Sequence, residues 1–315
     1  MENFLKFGLC CISLALKKHG LGMRALTYKN FCTLEIGYAL SKLSEICLNN
    51  ANYVLETVKF YEQSGIAHFR ISSSIFPLLT HPNLRLKISD LKDSKQIISG
   101  LRRAGRLAKS GGISLSFHPS QYVAIASADA EVREAAARDI NLNAEILDLI
   151  GASKNISNPI NIHINRSPKS PDFICDFESG ISLLSSSARR RLSIENEDRG
   201  FWNTANLLKF LRPYKIPLSF DILHERCNQS VLSEFKLADL CAKTWGRHTP
   251  IFHYSESASK LKPRSHSEFC KHLPPNYGFE YICMIEAKAK DLAIKKLQLK
   301  IKRNENSRII ENTVA

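Results

Sequence analysis

Short β-prone apolar runs recur along the chain, separated by longer segments patterned for helices. The runs are FGLCCIS (7–13), AHFRISSS (67–74), GISLSF (112–117), PINIHIN (159–165), RLSIENE (191–197), PLSFDIL (217–223), PIFHYS (250–255) and YICMIEAK (281–288). Helices are expected at 35–64, 90–110, 129–150, 177–188, 203–212, 230–245, 264–272 and 288–302. Strands alternating with helices imply parallel βαβ units, and eight of them match a closed (β/α)8 barrel. The expected fold is therefore α/β, a single TIM barrel over residues 1–300, followed by a polar, disordered tail at 301–315. A doubly wound open sheet is the alternative, but no GxGxxG follows the first run, which argues against a dinucleotide-binding version.

The polar residues that interrupt this pattern lie at the ends of the runs or in the loops after them. They are His81, His118, His163, Glu195, Asp221, His224, His253, His266 and Glu286. In a barrel, every parallel strand delivers its C-terminal end to one mouth, so residues distant in sequence converge there. Six imidazoles and three carboxylates exceed what one tetrahedral zinc takes. They suit two or three divalent ions such as Mn2+ or Zn2+, with carboxylates bridging. A purely structural reading remains for each residue alone: Asp221 could cap a helix, and Glu195 could pair with a basic side chain. A carboxylate inside an apolar run nevertheless needs a compensating charge or metal. The third run ends in FHPSQY (117–122), which adds a rigid Pro119 and the large polar side chains Gln121 and Tyr122 just after His118.

Charge narrows the partner. Forty-four Lys and Arg against 30 Asp and Glu give +14, which points to a polyanion, nucleic acid before anionic membrane. Arg70, Arg85 and Lys260 are candidate phosphate contacts around the mouth. Nine cysteines without a CxxC pair argue for buried thiols in a reducing cytoplasm and against a structural zinc finger. The start, MENFLKFGLCCISLALKKHG, lacks a small-residue cleavage pattern and reads as a first strand. No run has the length of a membrane span.

In this order and at these spacings, FHPSQYV, NIHIN, SIENED, SFDILHE, FHYSES and MIEAKAKD make the chain resemble the UV damage endonucleases, from FGLCCIS to about Lys290. The resemblance implies a (β/α)8-barrel DNA-repair nuclease that nicks double-stranded DNA 5′ to pyrimidine dimers and related lesions. It further implies up to three divalent ions, manganese first, with Mg2+, Zn2+ or Co2+ as alternatives. Carried over by position, the metal ligands are His81, His118, His163, Glu195, Asp221, His224, His253, His266 and Glu286. Glu195, Glu286, His118 and Asp221 are then the catalytic set, and Gln121 and Tyr122 probe the helix at the lesion. Two positions depart from the family pattern: Ile251 stands where the family has a modified metal-site lysine, and Leu9 replaces a first-strand tyrosine, where it is expected to join Gln121 and Tyr122 at the lesion by wedging apolar bulk into DNA. The chain is expected to act as a monomer in the cytoplasm, at the nucleoid in a bacterium. An abasic-site endonuclease, a sugar isomerase on the same barrel and a catalytically impaired damage-binding protein are the competing readings. The basic charge and Gln121-Tyr122 disfavour the isomerase, whose small substrate needs no basic surface.

Overall fold

The computed structural model describes residues 5–314. Eight strands, all paired in parallel, form the expected barrel: β1 (Leu5–Cys10), β2 (Ile66–Ser72), β3 (Ser114–His118), β4 (Ile160–Ile162), β5 (Leu192–Glu195), β6 (Leu218–Ser219), β7 (Ile251–Tyr254) and β10 (Tyr281–Ile285). Their spatial order is β6-β5-β4-β3-β2-β1-β10-β7. The ring closes where His253 N–H donates to the Phe220 carbonyl at 2.9 Å, beside a parallel bridge between Asp221 and His253. Among the described residues no helix is long and apolar enough to cross a membrane. All nine cysteines are free; Cys32 and Cys175 are exposed rather than buried.

Alternation along each strand sorts side chains into two environments. Phe7, Leu9, Phe69, Ile71, Leu115, Phe117, Ile160, Ile162, Ile194, Phe220 and Phe252 belong to the main apolar core, shared with the helices around the sheet. That layer supplies most of the hydrophobic stabilisation, at about 25 cal/mol per Å² of apolar surface removed from water. The opposite face lines the barrel. Its floor is a separate small cluster of Cys10, Ile156, Trp245, Ile251, Ile282 and Met284, with the Trp245 indole N–H donating to the Leu218 carbonyl at 2.9 Å. Part of the lining is polar. The His68 ring nitrogens meet Ser114 Oγ at 2.5 Å and Ser116 Oγ at 2.6 Å. Ser193 Oγ donates to Asn161 Oδ1 at 2.9 Å, and Ser219 Oγ to Ser193 Oγ at 3.3 Å.

The helices that cover the sheet match the periodic segments closely. They are α3 (Ile36–Tyr61), α4 (Ser94–Ser110), α5 (Ala130–Ile150), α6 (Phe173–Ser182) with the short α7 (Ser186–Arg189), α8 (Thr204–Leu211) and α10 (Glu234–Thr244). Short helices α1 (Leu14–Lys18), α2 (Tyr28–Cys32) and α9 (Ile222–Cys227) were not expected. The final helix α11 covers Lys290–Val314 and so runs through the segment expected to be a polar tail.

The helix expected over 264–272 does not form. In its place an antiparallel hairpin, β8 (Ser257–Ser259) and β9 (Lys262–His266), rises after β7 and leads into irregular chain. The Glu256 carboxylate accepts from the backbone N–H groups of Lys271 (2.9 Å) and His272 (2.7 Å), which satisfies donors that a helix would have used internally.

Candidate metal centre at the barrel mouth

Glu195 ends β5, and alternation turns it into the barrel beside Ser193, where it is 1% exposed. Four imidazoles surround it. Its Oε2 lies 3.3 Å from His118 Nε2 and 2.9 Å from His253 Nδ1. Its Oε1 lies 3.3 Å from His224 Nδ1 and 3.9 Å from His163 Nε2. The rings themselves cluster, with centroids 5.1 Å apart for His118–His163, 5.8 Å for His118–His253 and 5.9 Å for His163–His224. Burial opposes ionisation of Glu195, yet the neighbouring His253 and His163 imidazoles hold its carboxyl well below the ordinary range.

Asp221 follows β6 and is the N-cap of α9. Its Oδ1 accepts from His224 N–H at 2.7 Å, while its buried Oδ2 has no hydrogen-bond partner. The capping reading and the ligand reading are thus compatible, one oxygen for each. Burial raises the Asp221 carboxyl's pKa. Glu286, just past β10, accepts from Arg70 Nη1 at 2.5 Å and lies 3.4 Å from His253 Nδ1. Burial would raise it too, but Arg70 and His253 outweigh that and keep it strongly acidic. Arg70, a candidate phosphate contact, is instead engaged as the counter-charge of Glu286, with its side chain only 12% exposed.

Three overlapping groups bring ligand atoms within 4.8 Å of one another: His118, Glu195 and His253; Glu195, Asp221 and His224; Asp221, His253 and Glu286. Glu195, Asp221 and His253 each belong to two groups, an arrangement that suits shared or bridging ligands. The donor chemistry fits divalent cations on three grounds. The buried Asp221 Oδ2, His253 Nδ1 and His266 Nδ1 are left without hydrogen bonds in a protein-only site. Second, His118 Nδ1–H donates to the Asn161 carbonyl at 2.7 Å, which leaves the Nε2 lone pair facing a carboxylate oxygen, acceptor against acceptor. Third, burial opposes charging of His224, but Asp221 and Glu195 raise it to about 9, so the carboxylates already recruit a cation in the form of a proton. Burial meanwhile pushes His163 down to about 4 and so keeps it in the neutral, ligating form.

Two expected ligands stand further out. His266, at the base of the hairpin, points Nδ1 at Glu286 Oε2 from 3.8 Å. His81 lies in the loop beyond β2, its ring stacked on Tyr28 with centroids 3.8 Å apart; like His163 and His266 it belongs to none of the three groups. Ile251 is two residues before His253 and faces the same way, into the apolar floor, where it offers no donor atom. Beyond His118, Gln121 and Tyr122 form an exposed turn, held by Asn165 Nδ2 donating to the Gln121 carbonyl at 2.7 Å, and the Tyr122 ring is 82% exposed. Leu9 corrects the sequence expectation. It shares its face with Phe7, packs in the sheet–helix core at 0% exposure, and presents nothing to DNA.

The supporting residues were not among the candidates. Asn161 Nδ2 donates to Glu195 Oε2 at 2.5 Å, and its carbonyl holds His118. Asn196 brackets Asp221 through both backbone groups, at 2.7 and 2.9 Å, while its own carbonyl accepts from His224 Nδ1 at 2.8 Å. The signal for Asn161 was its position two before His163, with the same parity along the run that forms β4.

The profile of the UV-endonuclease UvdE family matches residues 5–314. A UV DNA damage endonuclease of Bacillus cereus strain Q1 is 28% identical over 284 residues, 86% of each chain. One from a Nostoc species is 26% identical over 306 residues, covering 93% of this chain and 89% of its own. The solved structure of SacUVDE superposes with a TM-score of 0.79 over 96% of this chain and 99% of that one, at 24% identity, a likeness of fold. With the barrel, the ordered strand-end residues and a match along almost the whole length, this chain belongs to the UV-endonuclease UvdE family.

Proposed function

We propose that the chain is a divalent-metal-dependent DNA repair endonuclease that hydrolyses the backbone 5′ to UV lesions. Family membership carries the coarser part, an endonuclease of damaged DNA. The metal requirement is supported by one observation above the others, the three overlapping ligand groups joined through Glu195, Asp221 and His253. His118, His163, Glu195, Asp221, His224, His253 and Glu286 would hold two or three ions, Mn2+ first, with His266 and His81 as outer ligands. Bound there, such ions supply Lewis acidity that acidifies water near neutral pH and offsets charge on the phosphate.

The chain's own residues do the rest. Glu195 and Glu286 provide fixed negative charge, and Asn161 and Arg70 keep their oxygens aimed inward. His118 is held as the tautomer whose Nε2 faces the site. Hydrolysis adds water to phosphorus and breaks the bond to a sugar oxygen, so both oxygens must reach this mouth in line; the exposed Gln121-Tyr122 turn stands where a duplex would be gripped for that. A damaged step is cheap to unstack, so an exposed ring can select it by deformability.

The test is strand nicking on a UV-irradiated duplex with Mn2+, beside an undamaged duplex and one with an abasic site. Cuts 5′ to dimers, lost in Glu195→Gln with an unchanged circular dichroism spectrum, are the expected result. Cutting at abasic sites alone would replace this substrate with the other, and near-normal activity of Glu195→Gln would remove that residue from the site.

A further inference from the structure

The hairpin that replaces an expected helix has no role in the metal site except at its base. Its ten residues, Ser257–His266, include Lys260, Lys262 and Arg264 and no carboxylate. At the tip, Leu261 is 94% exposed between two exposed lysines. A leucine so placed contributes nothing to the core, and no packing reason explains it.

The tip is fixed in space. Ser257 Oγ donates across the hairpin to the Pro263 carbonyl at 2.6 Å, and Lys262 N–H donates to Ser259 Oγ at 3.2 Å. Below, Ser267 N–H closes onto the Glu256 carbonyl at 2.8 Å, and Arg264 lies 3.7 Å from Asp198 in the loop after β5. Arg199, Arg226 and Arg264 line a cavity of about 680 Å³ between the hairpin, α9 and that loop.

The topology gives the hairpin a counterpart. It leaves the C-terminal end of β7, and the Gln121-Tyr122 turn leaves that of β3. Around the closed ring β3 and β7 are separated by β4, β5 and β6 one way and by β2, β1 and β10 the other. The strands that carry the two exposed tips, Tyr122 and Leu261, therefore lie opposite each other in the ring, and both tips leave it at the mouth that holds the ligand cluster.

We propose that the β8–β9 hairpin is a second duplex-penetrating element: Leu261 wedges into the base stack while Lys260 and Lys262 hold the phosphates on either side. Apolar side chains flanked by cations are how proteins unstack and kink duplex DNA. Gripped at two points across the mouth, the strand between them is bent toward the ligand cluster. His266 sits at the foot of the same strand as Lys262, so load on the tip bears on a candidate ligand of the centre. The inference rests on the DNA-cutting reading above.

Its test uses a lesion-containing duplex with 2-aminopurine beside the lesion, read by stopped-flow fluorescence before nicking. The wild type should raise the signal, since unstacking dequenches the probe. Leu261→Ala should lose at least half of that rise with its melting temperature unchanged, and Leu261→Met should keep it. Lys260→Ala/Lys262→Ala should flatten the slope of log affinity against log salt by about 2, at about 0.9 per phosphate contact. A full signal in Leu261→Ala overturns the inference, whatever the lysine variant does. A wild type that fails to bind the damaged duplex overturns the functional reading, and this inference with it.

Discussion

Asn161 shows how much of the candidate centre depends on residues outside the proposed ligand set. Its amide fixes one oxygen of a carboxylate that four imidazoles share. Asn161→Ala should therefore weaken Mn2+ binding by about 10- to 100-fold in calorimetric titration, the usual cost of losing such a support, while leaving the fold intact. His68 gives a pH signature of its own in the metal-free protein. Burial, with help from Arg70 and His253, pushes it down to about 3 from an ordinary 6.5. Between those limits the unfolded chain binds a proton that the folded chain does not, so stability rises with pH across the window and is lost as pH falls from about 6.5 toward 3. The slope for this one group is about 1.4 kcal/mol per pH unit. Urea midpoints of the metal-free protein from pH 4 to 6 should follow it, and His68→Gln should remove that share. At this scale the sequence spoke through strand ends, because His118, Glu195, Asp221, His253 and Glu286 are polar where the pattern demands apolar. It misled at Leu9, whose shared parity with Phe7 already assigns it to the outer face of the sheet. It was silent about Arg70 and Glu286, a pairing 216 residues apart in sequence.

Among the elements, long helices and buried strands were legible because their periods are maintained over many residues: α3, α4 and α5 lie within a few positions of their expected spans. The hairpin was not, because SASKLKPRSH has neither a helical stripe nor an apolar strand face, and its shape is set by bonds across the hairpin itself, above a Glu256 carboxylate that accepts from Lys271 and His272. Helix packing adds a constraint that propensity misses. A Cβ on Gly105 of α4 would lie 1.8 Å from the Ile150 carbonyl at the end of α5. Helix propensity alone favours Gly105→Ala by roughly 1 kcal/mol. The expected outcome is the reverse, a loss of about 1–3 kcal/mol from forced separation of the two helices, measured by denaturant unfolding.

For the whole molecule, the barrel divides into an apolar outer layer that holds it together and an inner face given over to chemistry, with a floor closed by Trp245, Met284 and Ile251. The floor has a kinetic consequence. A barrel stoppered at one end exchanges ions and water through the mouth alone, and the mouth is where a duplex would lie. Bound DNA would thus become a lid on ions held in the proposed centre, and their escape would be timed by DNA release rather than by ligand strength. Stripping of Mn2+ by a chelator should be at least tenfold slower when saturating uncleavable duplex is present, read by the colour of a metal indicator, and the lag should shorten with added salt as the DNA lets go.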